Sequence, residues 1–342
     1  IIIIVFLLFL FLGSAVYSYD DEITHRQLTE SAIRSAGLTS CLRNNLGLQE
    51  GFSSIINGRT ISWWLSEGAY LEDNPICRAT NHFHNPLEPW NLSYMSDEPW
   101  HVSLWCNLTG YATRYSDITW GTGYESPDGP TINRTNQQMG WDNAKNDYYI
   151  ALTSIFSENR EFYLAKTFQA LGQVLHLLQD VSVPAHVRND FRSHLEFIGV
   201  TWQTKFKPLS WFGNLYEHYV KNHPGIVSIQ SDPLSFTNPR ITDFWDTDQF
   251  RKGDPPPTNV PLGLAEVTNA NYFSDNTIPN NHPGPKHRFV YPLLNSTNYR
   301  ICEDYAPDSN DVVKYISRKQ CPPLSQERSA DHFTAISFLN EE

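Results

Sequence analysis

The sequence predicts an all-α domain with long irregular loops, and three observations carry that reading. Apolar residues recur with helical period over Trp141–Phe156 (Ala144, Tyr148, Ala151, Leu152, Ile155) and again over Arg160–Asp180 (Phe168, Leu171, Val174, Leu175, Leu178). Residues 74–135 lack such a period and are rich in Pro, Asn, Gly and Trp, among them Pro86, Pro89, Trp90, Pro99 and Trp100. Prolines then crowd residues 222–300, with Pro255, Pro256 and Pro257 consecutive, which discourages long helices there.

The elements follow in order. Residues 1–12 are an unbroken apolar run, and Gly13-Ser-Ala-Val-Tyr-Ser18 supplies small residues after it, so residues 1–18 read as part of a secretory signal peptide. Residues 19–342 read as one mainly helical domain with a Pro-rich C-terminal part, to which more sequence could follow. Thr24–Leu38, with Leu28, Ala32 and Ile33 on one stripe, is an expected amphipathic helix with His25 in its first turn. Gly58–Glu67, carrying Ile61, Trp63, Trp64 and Leu65, is a second buried element. Trp141–Phe156 and Arg160–Asp180 form the expected core pair.

Composition narrows the function classes. With 40% hydrophobic and 13% aromatic residues in 342, the chain can bury a substantial core. Its formal charge of -12 disfavours broad attraction to nucleic acid or anionic lipid, although bound divalent metals would reverse the sign locally. Five cysteines (Cys41, Cys77, Cys106, Cys302, Cys321) occur without a Cys-x-x-Cys pair, which argues against a thiolate zinc site. One or two disulfides in a secreted or periplasmic protein suit them better, with one cysteine left over.

The chemistry concentrates in His176-Leu-Leu-Gln-Asp180-Val-Ser-Val-Pro184-Ala-His186. His176 and Asp180 stand four apart on a helix and share a face, Pro184 stops the helix, and His186 can return over that face. Upstream stand His25, the acidic pair Glu72-Asp73, and His82-Phe-His84-Asn-Pro86; downstream comes Glu217. Taken singly each has an ordinary reading: a helix-start histidine, a turn aspartate, a solvated glutamate. Together, and in this order, they acquire a common meaning.

A histidine near the mature N-terminus, an aspartate followed by His-Phe-x-x-Pro, a helical His-x-x-x-Asp with a histidine six residues on, and a later acid resemble the zinc-dependent phospholipase C and fungal single-strand nuclease superfamily, over about Tyr19 to Val220. The resemblance implies an all-helical domain holding up to three zinc ions. Asp73, His82 and His176 would bind one, and Asp180 would bridge it to a second held by His25 and by the amino group and carbonyl of Tyr19, the first mature residue. His186 and Glu217 would take the third. There the sequence departs from the family, having Gly213 where a histidine is expected four residues before the acid. His194 or His218 supplies the missing imidazole, and His194 fits better because it lies on the segment following His186.

Imidazole and carboxylate without thiolate also suit catalytic zinc with open positions. Paired ions of this kind can hold a bridging hydroxide and neutralise phosphoryl charge, with Asp73 available to orient or deprotonate water. The expected activity is zinc-dependent phosphodiester hydrolysis of phospholipase C type, on a phospholipid substrate with transient membrane contact and no obligate protein partner. The runner-up is a nuclease acting on single-stranded nucleic acid, for which Trp90, Trp100, Trp105 and Tyr149 are candidate stacking residues. A third reading is an inactive secreted binding protein with an incomplete metal site.

Overall fold

The computed structural model describes residues 21–96, 100–111, 114–191, 238–251, 254–257 and 260–274, and the strands 300–305, 312–317 and 336–339. A single π-helical turn, Asp21–His25, leads into α1 (Arg26–Ser35), and α2 (Thr39–Leu46) ends on Gly47 in the left-handed region at φ 69°. A two-stranded hairpin follows, β1 (Ile55–Ile56) and β2 (Arg59–Thr60), joined by Asn57-Gly58 with both φ positive, as a tight hairpin turn requires. Thr60 then caps α3 (Ile61–Leu71), its hydroxyl oxygen accepting from the Trp63 amide at 3.1 Å.

Within the stretch expected to be loop lie 3₁₀ turns at Ile76–Asn81 and Trp90–Leu92 and two short helices, α4 (Trp100–Leu108) and α5 (Asp117–Thr122). The long pair is α6 (Trp141–Thr153) and α7 (Ser157–Asp180); α7 begins three residues earlier than its apolar period indicated, because Ser157-Glu158-Asn159 form a polar first turn. Beyond it come α8 (Leu264–Asn271) and an antiparallel sheet of β3 (Arg300–Tyr305), β4 (Val312–Ser317) and β5 (Ile336–Leu339). The described residues are mostly helical, and the sheet departs from the purely helical expectation. Runs such as Val312-Val-Lys-Tyr-Ile-Ser317, rich in β-branched and aromatic residues, explain it.

The architecture centres on α7, which packs against α3 on one side and α6 on the other, with α1 and α5 also touching it. The α3 crossing is unusually close. A Cβ placed on Gly172 would lie 2.1 Å from the Leu65 carbonyl oxygen, and one on Gly68 would lie 2.0 Å from that of Gln169. Hydrogen in place of a side chain at both positions lets the two backbones touch, which sets the end of α3 beside the last turns of α7. Leu42, Ile56, Ile61, Leu65, Ala165 and Phe168 fill the core near the start of α7, and Trp120, Val174, Leu177, Val181 and Trp245 the core near its end. Among the described residues no helix is long and apolar enough to cross a membrane. One disulfide, Cys77–Cys106, ties α4 to the chain between Asp73 and His82, Cys302 is also disulfide-bonded, and Cys41 is free and exposed.

Candidate metal centre

The end of α7 supplies the first two groups. His176 and Asp180, one helical turn apart, are both fully buried, with His176 Nε2 at 3.2 Å from Asp180 Oδ2. Because α3 lies so close, the Ala69 carbonyl reaches the His176 ring and accepts from Nδ1 at 2.6 Å, leaving Nε2 to face the carboxylates. The chain leaving α3 carries Glu72 and Asp73 into the same region, and Asp73 Oδ2 stands 3.6 Å from His176 Nε2.

The 3₁₀ turn Ile76–Asn81 then brings His82 across, its Nδ1 at 2.8 Å from Asp180 Oδ2 and 3.4 Å from Asp73 Oδ1. From the N-terminal side, His25 stacks on His176 with ring centroids 3.7 Å apart and sets Nε2 3.4 Å from Asp180 Oδ1. Its Nδ1 is held at 2.7 Å by Gln179 Oε1, and Gln179 is in turn held by donating to Thr29. Past Pro184 a further 3₁₀ turn presents His186, whose Nδ1 bonds the His82 carbonyl at 2.6 Å while Nε2 lies 4.0 Å from Asp180 Oδ1. A backbone bond from His84 N–H to the His186 carbonyl at 2.9 Å closes this pair of segments.

The short contacts are misaligned for hydrogen bonding. Both oxygens of Asp73, both nitrogens of His82 and Nε2 of His176 are buried without a hydrogen-bond partner. Each such group costs about 1–3 kcal/mol if nothing satisfies it. Four of them, the two Asp73 oxygens, His82 Nδ1 and His176 Nε2, aimed into one small volume are the arrangement a cation would resolve. Two overlapping triads, His25/Asp73/His176 and His82/His176/Asp180, place their ligand atoms within 4.8 Å of one another, so these buried His and Asp groups could hold a metal ion.

Electrostatics follow from the crowding. Burial pushes the His25 pKa well below its ordinary value, with His176 adding to the effect. Burial also opposes charge on His82, yet Asp180 and Glu72 overcome it and hold its pKa well above the usual range. His176 is raised in the same way, against burial, by Asp180 and Asp73. Asp180, despite burial, is held well below the carboxylate range by His176 and His186, whereas burial raises Asp73. Two distant chain segments thus set a firmly ionised carboxylate, Asp180, beside one that retains affinity for a proton, Asp73.

Six of the nine sequence-predicted residues therefore meet: His25, Asp73, His82, His176, Asp180 and His186. Tyr19, His194 and Glu217 lie outside the described residues. Three neighbours complete the surroundings: nothing in the sequence singles out Asp117, while Glu72 is marked only as the partner of Asp73 in an acidic pair and His84 as a structural or supporting residue. Glu72 is fully buried, its Oε2 paired with the Arg78 guanidinium at 2.6 Å and its Oε1 accepting from the Trp120 indole at 2.7 Å; burial works against it, but Arg78 brings its pKa down to about 2. Asp117 is fully buried, with Oδ1 accepting from the Trp245 indole at 2.6 Å and Oδ2 lacking a hydrogen-bond partner; burial, then Asp180, pushes its pKa well up. His84 pairs through Nε2 with Asp246 at 2.8 Å. Glu72 and His84 have local signals, beside Asp73 and two residues after His82, whereas Asp117 is defined by Trp245, 128 positions away. No protein-family model matches the chain, and no curated protein matches it either.

Proposed function

We propose that the protein is a secreted zinc-dependent phosphoric ester hydrolase of phospholipase C type. The observation that carries the reading is the convergence of His25, Asp73, His82, His176, Asp180 and His186 in one buried cluster, in which two triads of His and Asp set their ligand atoms within 4.8 Å of one another. Their order along the chain is that of the resembled superfamily, and a donor set of imidazole and carboxylate suits zinc with exchangeable positions. Zinc held there would supply Lewis-acid polarisation of a phosphoryl oxygen and would acidify water at neutral pH.

The side chains have separable tasks. His25, His176 and His186 are oriented by Gln179, the Ala69 carbonyl and the His82 carbonyl, so each turns Nε2 toward the carboxylates. Asp180 faces four imidazoles and would be the carboxylate shared by the ions they hold. Asp73 has neither oxygen committed to a hydrogen bond, so with one oxygen on zinc the other would orient or deprotonate the attacking water. The Cys77–Cys106 disulfide fits an oxidising compartment.

The exposed Tyr149, at 66% exposure, favours a second reading as a single-strand nuclease, since an exposed aromatic ring can stack on a base; Trp90, at 2%, is core. Parallel hydrolysis assays on phosphatidylcholine vesicles and single-stranded DNA, with zinc content measured on the same sample, separate the readings. Release of the phosphorylated headgroup, lost in Asp180→Asn with helical content intact, is the expected result. Cleavage of DNA alone would transfer the assignment to the nuclease. Zinc binding without turnover on either substrate would leave the protein a binding module.

A further inference from the structure

The four imidazoles around Asp180 are not held alike. His25, His176 and His186 each have Nδ1 bonded to a neutral oxygen, at 2.7, 2.6 and 2.6 Å, and each directs Nε2 toward the carboxylates. His82 is reversed. Its Nδ1 faces Asp180 and Asp73, while Nε2 points away, toward Glu72 Oε1 at 3.5 Å. Behind Nε2 stands a carboxylate rather than a neutral oxygen, near enough to attract its proton though not in hydrogen-bonding alignment. A metal-binding histidine generally has its other nitrogen oriented by an acceptor, and an anion in that role also raises the basicity of the binding nitrogen.

That carboxylate is itself immobilised. Arg78 Nη2 grips Glu72 Oε2 and also donates to Gln137 at 3.2 Å and Gln173 at 2.9 Å, while Arg78 Nε donates to the Glu72 backbone carbonyl at 2.9 Å. The guanidinium carbon lies 5.1 Å from the Trp120 ring centre, and the Trp120 indole donates to Glu72 Oε1. Gln173 stands on α7 one turn before His176, so the support is anchored to the same helix that carries His176 and Asp180.

From this geometry we infer that Glu72, clamped by Arg78 and Trp120, is a positioning residue that favours the proton of His82 on Nε2 and so dedicates Nδ1 to the metal. The inference rests on the metal-centre reading above and assigns within it which nitrogen of His82 binds and what selects it. Asp73, next in sequence, faces the cluster; Glu72 faces away from it and acts only through the ring. The acidic dyad therefore divides into one residue for the cluster and one for its support.

The test compares the native protein with Glu72→Gln and with Glu72→Gln/Arg78→Gln, the double variant avoiding an orphaned buried guanidinium that could unfold the single one. Folding is checked by circular dichroism, zinc affinity by competition with a chelator, and the binding nitrogen by ¹¹³Cd–¹⁵N coupling in cadmium-loaded, histidine-labelled protein. The native protein should show coupling through His82 Nδ1. The folded variant should bind zinc roughly 10–100-fold more weakly and lose or redirect that coupling to Nε2. Unchanged affinity and unchanged Nδ1 coupling would overturn the role of Glu72, as would coupling through Nε2 in the native protein. Failure of the native protein to bind either metal would instead overturn the metal-centre reading on which the inference stands.

Discussion

Gly172→Ala sets two effects of opposite sign against each other. In a helix interior, replacing glycine by alanine favours folding by about 0.8–1 kcal/mol through backbone entropy. At position 172 the new methyl would sit 2.1 Å from the Leu65 carbonyl oxygen and 2.9 Å from the Gly68 Cα, against ordinary contact at 3.4 Å or more. Both obstacles are backbone, so α3 and α7 must part by roughly 1 Å, and overpacking of this kind costs about 1–3 kcal/mol, occasionally more. With the upper end applying, the net loss is about 2 kcal/mol, or a fall of roughly 4–8 °C in Tm. The same separation draws the Ala69 carbonyl away from His176 Nδ1, now 2.6 Å apart, and His176 away from Asp73. Thermal denaturation of the metal-free protein, followed by zinc titration, reads both consequences. A variant more stable than the native protein, with unaltered zinc affinity, would refute the argument that this crossing positions the site.

Two further outcomes follow from the same contacts. Glu72 has its folded pKa depressed from 4.5 to about 2, so its contribution is present above pH 4.5 and lost as pH falls toward 2. That shift corresponds to about 3 kcal/mol, and native metal-free protein should therefore lose stability more steeply than Glu72→Gln across this window in denaturant titrations; parallel slopes would contradict it. Replacing Cys77 and Cys106 together by serine opens a loop with a sequence separation of 29, running from Cys77 into α4, and should lower stability by about 3.5 kcal/mol, visible as a reduced denaturant midpoint. A change under about 1 kcal/mol would mean that packing around Phe83 and Met95 holds the segment unaided.

What the sequence revealed and what it hid divide along the range of the interactions. The end of α7 was legible because His176, Asp180 and Pro184 act through helix geometry alone. Asp73, His82 and His25 were legible only as an ordered set, since each is indistinguishable locally from a turn or helix-start residue. The helix α5 escaped notice because its six residues, two of them threonine and one glycine, have weak intrinsic preference; packing of Ile118 and Trp120 against α7 stabilises it. The role of Glu72 depends on Arg78, Gln137, Gln173 and Trp120, and that of His84 on Asp246, 162 positions away; neither has a periodic signature. The strands β3 to β5 do carry a β-branched signature, which the prolines before them obscured.

The most direct test is an anomalous-scattering map collected at the zinc absorption edge from crystals of protein prepared with zinc. Density is expected for at least two ions inside the cage of His25, Asp73, His82, His176 and Asp180, with one peak against His82 Nδ1. A map without a peak there, from folded and zinc-exposed protein, would contradict the metal centre and with it the proposed hydrolysis.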